Sequence, residues 1–142
     1  MLEQFLHHID RHRLCQKSDL ILLAVSGGVD SMAMLYLFKE AGFRVGVAHC
    51  NFQLRGKESD GDEEFVRQVC KDLNVPFFFS RFETEAYAWE NTLSIQMAAR
   101  ELRYTWFDEV LRGHSYTWLA TGHHLDDTME TILLNITRGT ST

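Results

Sequence analysis

The stretch Leu20 to Val25, LILLAV, is apolar at every position and runs straight into Ser26-Gly27-Gly28-Val29-Asp30-Ser31, which is followed by MAMLYLF. A short continuous apolar run bounded by small polar residues predicts a strand buried on both faces. The second run is apolar all round and predicts a buried helix. A strand covered on both faces needs neighbours above, below and on both edges, so this segment alone demands a layered sheet.

The rest of the chain supplies those layers by alternation. Leu2, Phe5, Leu6 and Ile9 fall at helical spacing. Phe43 to His49 predicts a second strand. Asn51 to Gly61 is polar and predicts a loop. Val66, Val69, Cys70 and Leu73 mark a helix ended by Asn74 and Pro76. Pro76 to Phe82 predicts a third strand, Leu93 to Leu111 a long helix with Gly113 as its cap, and Tyr116 to Thr121 a fourth strand. A last helix is expected over His123 to Ile136, with Met129, Ile132, Leu133 and Ile136 on its apolar face. Strand and helix in alternation predict an α/β fold: an open parallel sheet sandwiched by helices, Rossmann-like in its layering. With 142 residues, 45% of them hydrophobic, the chain suits one domain with a real core.

Composition excludes several function classes. The apolar runs are strand-length, well short of the ~20 residues of a membrane helix, and charges interrupt the N-terminal stretch where a signal peptide would be apolar. Cys15, Cys50 and Cys70 are odd in number and form no CxxC pair, which favours reduced thiols in a cytoplasmic protein over a disulfide frame or a zinc site. The net charge of −6 argues that another domain supplies most of the grip on any nucleic acid. The chain stops at Thr142 with no strand after the last expected helix. One N-terminal domain over 1–142, cut before a C-terminal part, is therefore expected.

The glycine loop carries the strongest chemical signal. Two glycines leave the backbone bare, so phosphate oxygens can approach its N–H groups. The following helix aims its N-terminus at the same place, and Ser26 and Ser31 add hydroxyls. The loop lies at the carboxyl end of a strand, where open α/β sheets bind ligands. It matches neither GxxxxGK[ST], nor GxGxxG, nor GxSxG. The plain alternative, a tight turn with a capping serine, does not account for Asp30-Ser31.

Two further segments stand where chemistry belongs. Arg100 and Arg103 share a face of the long helix, with Tyr104 beside them. Paired guanidiniums grip a phosphate well, although a surface ion-pair stripe with Glu101 and Asp108 is an equal reading. In Thr121-Gly122-His123-His124-Leu125-Asp126-Asp127, a helix would put His123, Asp127 and Glu130 on one face, a conceivable divalent-metal set. Acids at a helix N-terminus would explain Asp126 and Asp127 but not the paired histidines. In the polar loop, Arg55 and Lys57 could meet phosphates or RNA, or simply be solvated.

SGGVDS resembles the SGGxDS signature of the PP-loop ATP pyrophosphatases. Joined to HCNFQLRGKESD, ARELRY, HHLDDTMET and NITRG, it resembles the tRNA(Ile)-lysidine synthases over nearly the whole chain, from about Leu20 to Gly139. Gln53 departs from the pattern, standing where a histidine is common. The resemblance implies an ATP-dependent carbon–nitrogen ligase. It would adenylate the C2 oxygen of the wobble cytidine in an isoleucine tRNA with a CAU anticodon, after which L-lysine displaces AMP. It implies ATP and magnesium as cofactors and allows a homodimer. Carried onto this chain, it puts pyrophosphate on Ser26, Gly27, Gly28, Val29 and Ser31, and magnesium on Asp30 and Asp127. It puts adenosine near His49 and Asn51, and phosphate charge or tRNA on Arg100 and Arg103. A tRNA 2-thiolation enzyme, another adenylating ligase of the same superfamily and a non-catalytic nucleotide module remain as alternatives.

Overall fold

The computed structural model describes residues 16–124 and 132–138, with residues 123–124 and 132–138 given by their backbone. The helix expected around Leu2 to Ile9 lies outside them.

Strand β1 (Leu20–Ala24) leads into helix α1 (Val29–Glu40), and β2 (Arg44–Asn51) into α2 (Lys57–Leu73). Strand β3 (Phe77–Arg81) is followed by two helices, α3 (Thr84–Glu90) and α4 (Ile95–Gly113), before β4 (Trp118–His124) and β5 (Ile132–Arg138). The sheet order is β3-β2-β1-β4-β5. β1 pairs in parallel with β2 on one side and β4 on the other, and β2 pairs in parallel with β3. The chain thus steps outward from β1 to β3 and then crosses back to the other side of β1. The reversal leaves a crevice at the carboxyl ends of β1 and β4, where such folds bind ligands.

Alternation along β1 assigns its two faces. Ile21, Leu23 and Val25 meet Met34, Leu35 and Phe38 of α1 and Val66 and Cys70 of α2. Leu22 and its neighbour Ala48 on β2 meet Phe107, Val110 and Leu111 of α4. Ile21, Leu22 and Leu23 are all fully buried, as the unbroken apolar run requires. α4 is capped by Ser94, whose hydroxyl accepts from the Met97 N–H at 3.1 Å. α2 ends at Asn74 in the left-handed conformation, φ 57°.

The sandwiched parallel sheet is as expected, with one strand differing. The last helix expected over His123 to Ile136 is not what forms in the described part: His123 and His124 extend β4, and β5 runs antiparallel to it. The segment ILLNITR is strand-length and carries β-branched residues. Spacing in so short an apolar run does not separate helix from strand, and the open edge of β4 offers a ladder. The shared helical face of His123, Asp127 and Glu130 therefore loses His123 to a strand, while Asp127 and Glu130 lie outside the described residues. An antiparallel strand at the margin of a parallel sheet is common in large α/β sheets. Helix α3 was not foreseen, since TEAYAWE shows no clear helical stripe.

A buried carboxylate ties the ends of β2 and β3 to α2. Glu63 is 3% exposed. It accepts from Arg81 Nε at 3.0 Å and Nη2 at 2.7 Å, from Asn51 Nδ2 at 3.2 Å and from Arg67 Nη2 at 3.3 Å. The hydrogen-bonded Arg81 guanidinium, helped by Asn51 and Arg67, holds its carboxyl down at about 2 against a burial effect of opposite sign.

Two outcomes follow from this packing. A Cβ on Gly46 would lie 2.0 Å from Tyr116 Oη and 2.6 Å from Cζ. Gly46→Ala should cost about 1–3 kcal/mol in chemical denaturation, and less in a Tyr116→Ala background. Glu63 has a depressed folded-state pKa, so its stabilisation is complete above its ordinary value of 4.5 and is lost as pH falls through about 2. Glu63→Gln should destabilise by about 1–3 kcal/mol at neutral pH, with the gap to wild type closing between pH 5 and 2.

Candidate functional site

The loop after β1 closes on itself through hydroxyls. The Ser26 and Gly27 N–H groups donate to Ser31 Oγ at 3.1 and 3.2 Å, and the Gly28 N–H donates to Ser26 Oγ at 3.2 Å. The Ser31 hydroxyl in turn donates to the Gly28 carbonyl at 3.1 Å. Three successive backbone donors thus turn inward on small, rotatable oxygens. This is the geometry of an anion-binding nest. Gly27 is held at φ +99°, and a Cβ there would only touch Val66 and Asp62 of α2, at 3.4 and 3.5 Å. The loop therefore needs glycine here for its backbone angle. Gly28 starts α1 without any side-chain cap, leaving the first helical N–H groups for solvent or a ligand. Asp30 is in the first turn of α1, and Val29 is 80% exposed beside it.

Ser26 and Ser31 open onto a cavity of about 470 Å³, within the size range of small-ligand pockets. β1, β2 and β4 supply its floor with Ala24, Val25, Ala48, Cys50, Thr121 and Gly122. Phe52 and the α4 residues Arg100, Arg103, Tyr104 and Phe107 form the opposite side. The expected pairing of the two arginines is realised: both guanidinium carbons lie 5.1 Å from the centroid of the Tyr104 ring. Arg103 Nε is buried without a hydrogen-bond partner. The ion-pair stripe weighed from the sequence does not include them. Glu101 accepts from Tyr87 Oη at 2.9 Å, and Asp108 pairs with Arg112 at 3.2 Å. The α4 side of the cavity thus combines aromatic rings with two cations, and the loop side faces them with backbone and hydroxyl donors.

Other expected site residues stand back from the cavity. His49 and Asn51 are buried, at 2% and 1% exposure. The Asn51 amide donates to Asp60 at 2.9 Å and to Glu63, while its oxygen accepts from the Gln53 N–H at 3.0 Å. It fixes the turn after β2, so any influence on a nucleotide passes through the backbone it holds. Gln53, at φ 57°, donates to the Phe82 carbonyl at 3.0 Å, which gives its side chain a structural role. Arg55 is tied to Asp62 at 2.9 Å. Asp127 lies outside the described residues, and among those described no group of three His, Cys, Asp or Glu residues could hold a metal. Tyr104 stood beside the arginines in the sequence reading, whereas Cys50, Phe52 and Phe107 were not assigned to the site in advance. Their only signal was position, at strand carboxyl ends and one turn from the arginines. Burial pushes the Cys50 thiol up to about 12, against the nearby positive charge of Arg103.

Known proteins resemble this chain in sequence and in fold. A tRNA(Ile)-lysidine synthase from Chlorobaculum tepidum is 50% identical over 143 residues, covering 96% of this chain and 43% of the relative. One from Porphyromonas gingivalis is 47% identical over 133 residues, covering 93% of this chain and 29% of the relative. The chain thus spans less than half the length of these curated relatives. Among solved structures, an NH3-dependent NAD synthetase from Campylobacter jejuni superposes with a TM-score of 0.62 at 18% identity, covering 83% of this chain and 53% of the other. That likeness speaks for the fold alone. The family model described as the PP-loop domain matches residues 1–142. With its donor loop at the switch point of a parallel sheet, the chain belongs to the PP-loop domain family.

Proposed function

We propose that this domain binds ATP in the cavity and activates an acceptor by transferring AMP to it, with pyrophosphate leaving on the glycine loop. The observation that carries this reading is the convergence of the Ser26, Gly27 and Gly28 N–H groups at the head of α1, with Arg100 and Arg103 lining the same cavity. Fixed donors aimed at the place where negative charge builds up are the largest lever an enzyme has on such a step. The acceptor oxygen attacks the α-phosphorus, the bond to the bridging oxygen breaks, and charge develops on the departing pyrophosphate. Ser26, Gly27, Gly28, Val29 and Ser31 meet that charge through backbone and hydroxyl donors. Arg100 and Arg103 meet it from α4 or hold the incoming RNA backbone. The apolar surface of Phe52, Tyr104 and Phe107 suits a flat aromatic base.

Magnesium fits this donor set in its usual manner, held by one or two carboxylates together with phosphates rather than by an all-protein cage. Asp30 would hold it, with Asp127 as the second carboxylate. When bound, the ion neutralises phosphate charge.

The acceptor, in the protein as the cell makes it, is the C2 oxygen of the wobble cytidine in a cytoplasmic isoleucine tRNA with a CAU anticodon. The L-lysine amine then attacks C2, the C2–O bond breaks, AMP leaves and lysidine remains. The names of the close relatives support this choice. Recognition of an unstacked base in a single-stranded loop suits an open cavity. The family resemblance allows a homodimer. Sulfur transfer is disfavoured: a thiol pushed up to about 12 leaves Cys50 protonated at neutral pH and a poor nucleophile.

The intact protein should move radiolabelled lysine into isoleucine tRNA only with ATP and only when the wobble cytidine is present. ATP binding without label transfer would reject lysidine synthesis. Arg103→Ala and Arg100→Ala should each lower turnover on the order of 10²-fold while leaving the unfolding midpoint near wild type, since neither side chain sits in the core.

A further inference from the structure

Val25, the residue before the loop, is gripped at both its N–H and its carbonyl by β2. The Val25 N–H donates to the Ala48 carbonyl at 3.0 Å, the last rung of the β1–β2 ladder. The Val25 carbonyl is met by His49 Nδ1 at 2.8 Å. A carbonyl only accepts, so Nδ1 carries the proton, and in the neutral ring Nε2 keeps its lone pair. Nε2 is buried without a hydrogen-bond partner, and the ring lies against Phe77 with centroids 6.3 Å apart. The imidazole is thus enclosed in the core, and its one polar contact among the described residues is with the strand that feeds the loop.

That contact has a geometric consequence. In a trans peptide the carbonyl and the following N–H point in opposite directions, and the chain has no cis bond among the described residues. Holding the Val25 carbonyl toward β2 therefore turns the Ser26 N–H the other way, onto Ser31 Oγ at 3.1 Å. The first donor of the nest is set by a side chain outside the loop. We infer that His49 is a positioning residue for the glycine loop, presetting the Ser26 N–H for a phosphate oxygen through the Val25 carbonyl, and that its imidazole does not touch the nucleotide. This rests on the reading of the loop as the phosphate cradle. It also accounts for the residue type. The position needs a single N–H donor on a flat, apolar-bodied group that can be sealed from water, and a permanently charged side chain would be costly there.

The test separates the phosphate end of ATP from the adenosine end, using inorganic pyrophosphate and adenosine as probes of the intact protein by calorimetry. His49→Phe keeps the ring and removes the donor, whereas His49→Asn keeps an N–H near the Nδ1 position. The phenylalanine variant should bind pyrophosphate about tenfold more weakly, the effect of one hydrogen bond, with adenosine affinity unchanged; the asparagine variant should recover most of the loss. Because the phenylalanine variant could fold poorly, wild-type NMR provides a second reading: pyrophosphate should shift the Ser26 amide, and adenosine should leave the His49 ring nitrogens where they are. An adenosine affinity that falls with the donor, or ring nitrogens that shift with adenosine, would overturn the inference in favour of direct contact. Unchanged pyrophosphate affinity in His49→Phe would overturn it as well. If wild type binds adenosine but not pyrophosphate, the phosphate reading of the loop fails and the role of His49 with it.

Discussion

The cavity depends on one strand that is enclosed on every side. β1 is hydrogen-bonded on both edges and covered on both faces, by α1 and α2 on one and α4 on the other. Such a strand has no freedom to slide, because a one-residue slip would exchange its two packed faces. Its carboxyl end is therefore firmly placed. The glycine loop begins there, and its first donors inherit that placement.

The loop's surroundings extend the constraint outward. A Cβ added at Gly27 would reach Val66 and Asp62, so α2 runs close beside the turn. α2 is in turn fixed to β2 and β3 through Glu63, Asn51 and Arg81. A charge network lying beyond the cavity thus bears on its geometry through packed backbone. The network includes Asn51, while His49 works two residues earlier on the same strand. Both residues serve the site without facing it.

The opposite wall is built by a different rule. α4 covers the second face of the sheet with Phe107, Val110 and Leu111, and the turns before Phe107 overhang the cavity. Helical spacing puts Arg100, Arg103 and Tyr104 together there, where stacking on one ring orders two long cations. Core packing and ligand recognition are carried by adjacent turns of one helix.

The sequence by itself determined the alternation of elements, the buried central strand, the glycine loop and the arginine pair. Each of these is written in local pattern: an unbroken apolar run, two glycines before a helix, a spacing of three residues. Helix α3 was not legible, because its short run of mixed residues has no stripe of its own and lies against α4. The strand character of Ile132–Arg138 was not legible either, since pairing with β4 decided it. Tertiary structure alone decided what His49, Asn51 and Gln53 do. A polar residue at the end of a strand reads the same from sequence whether it faces a ligand or the core. Only the register of β1 against β2 turns His49 onto the Val25 carbonyl and away from the cavity. Register is a relation between distant segments, and no local pattern contains it.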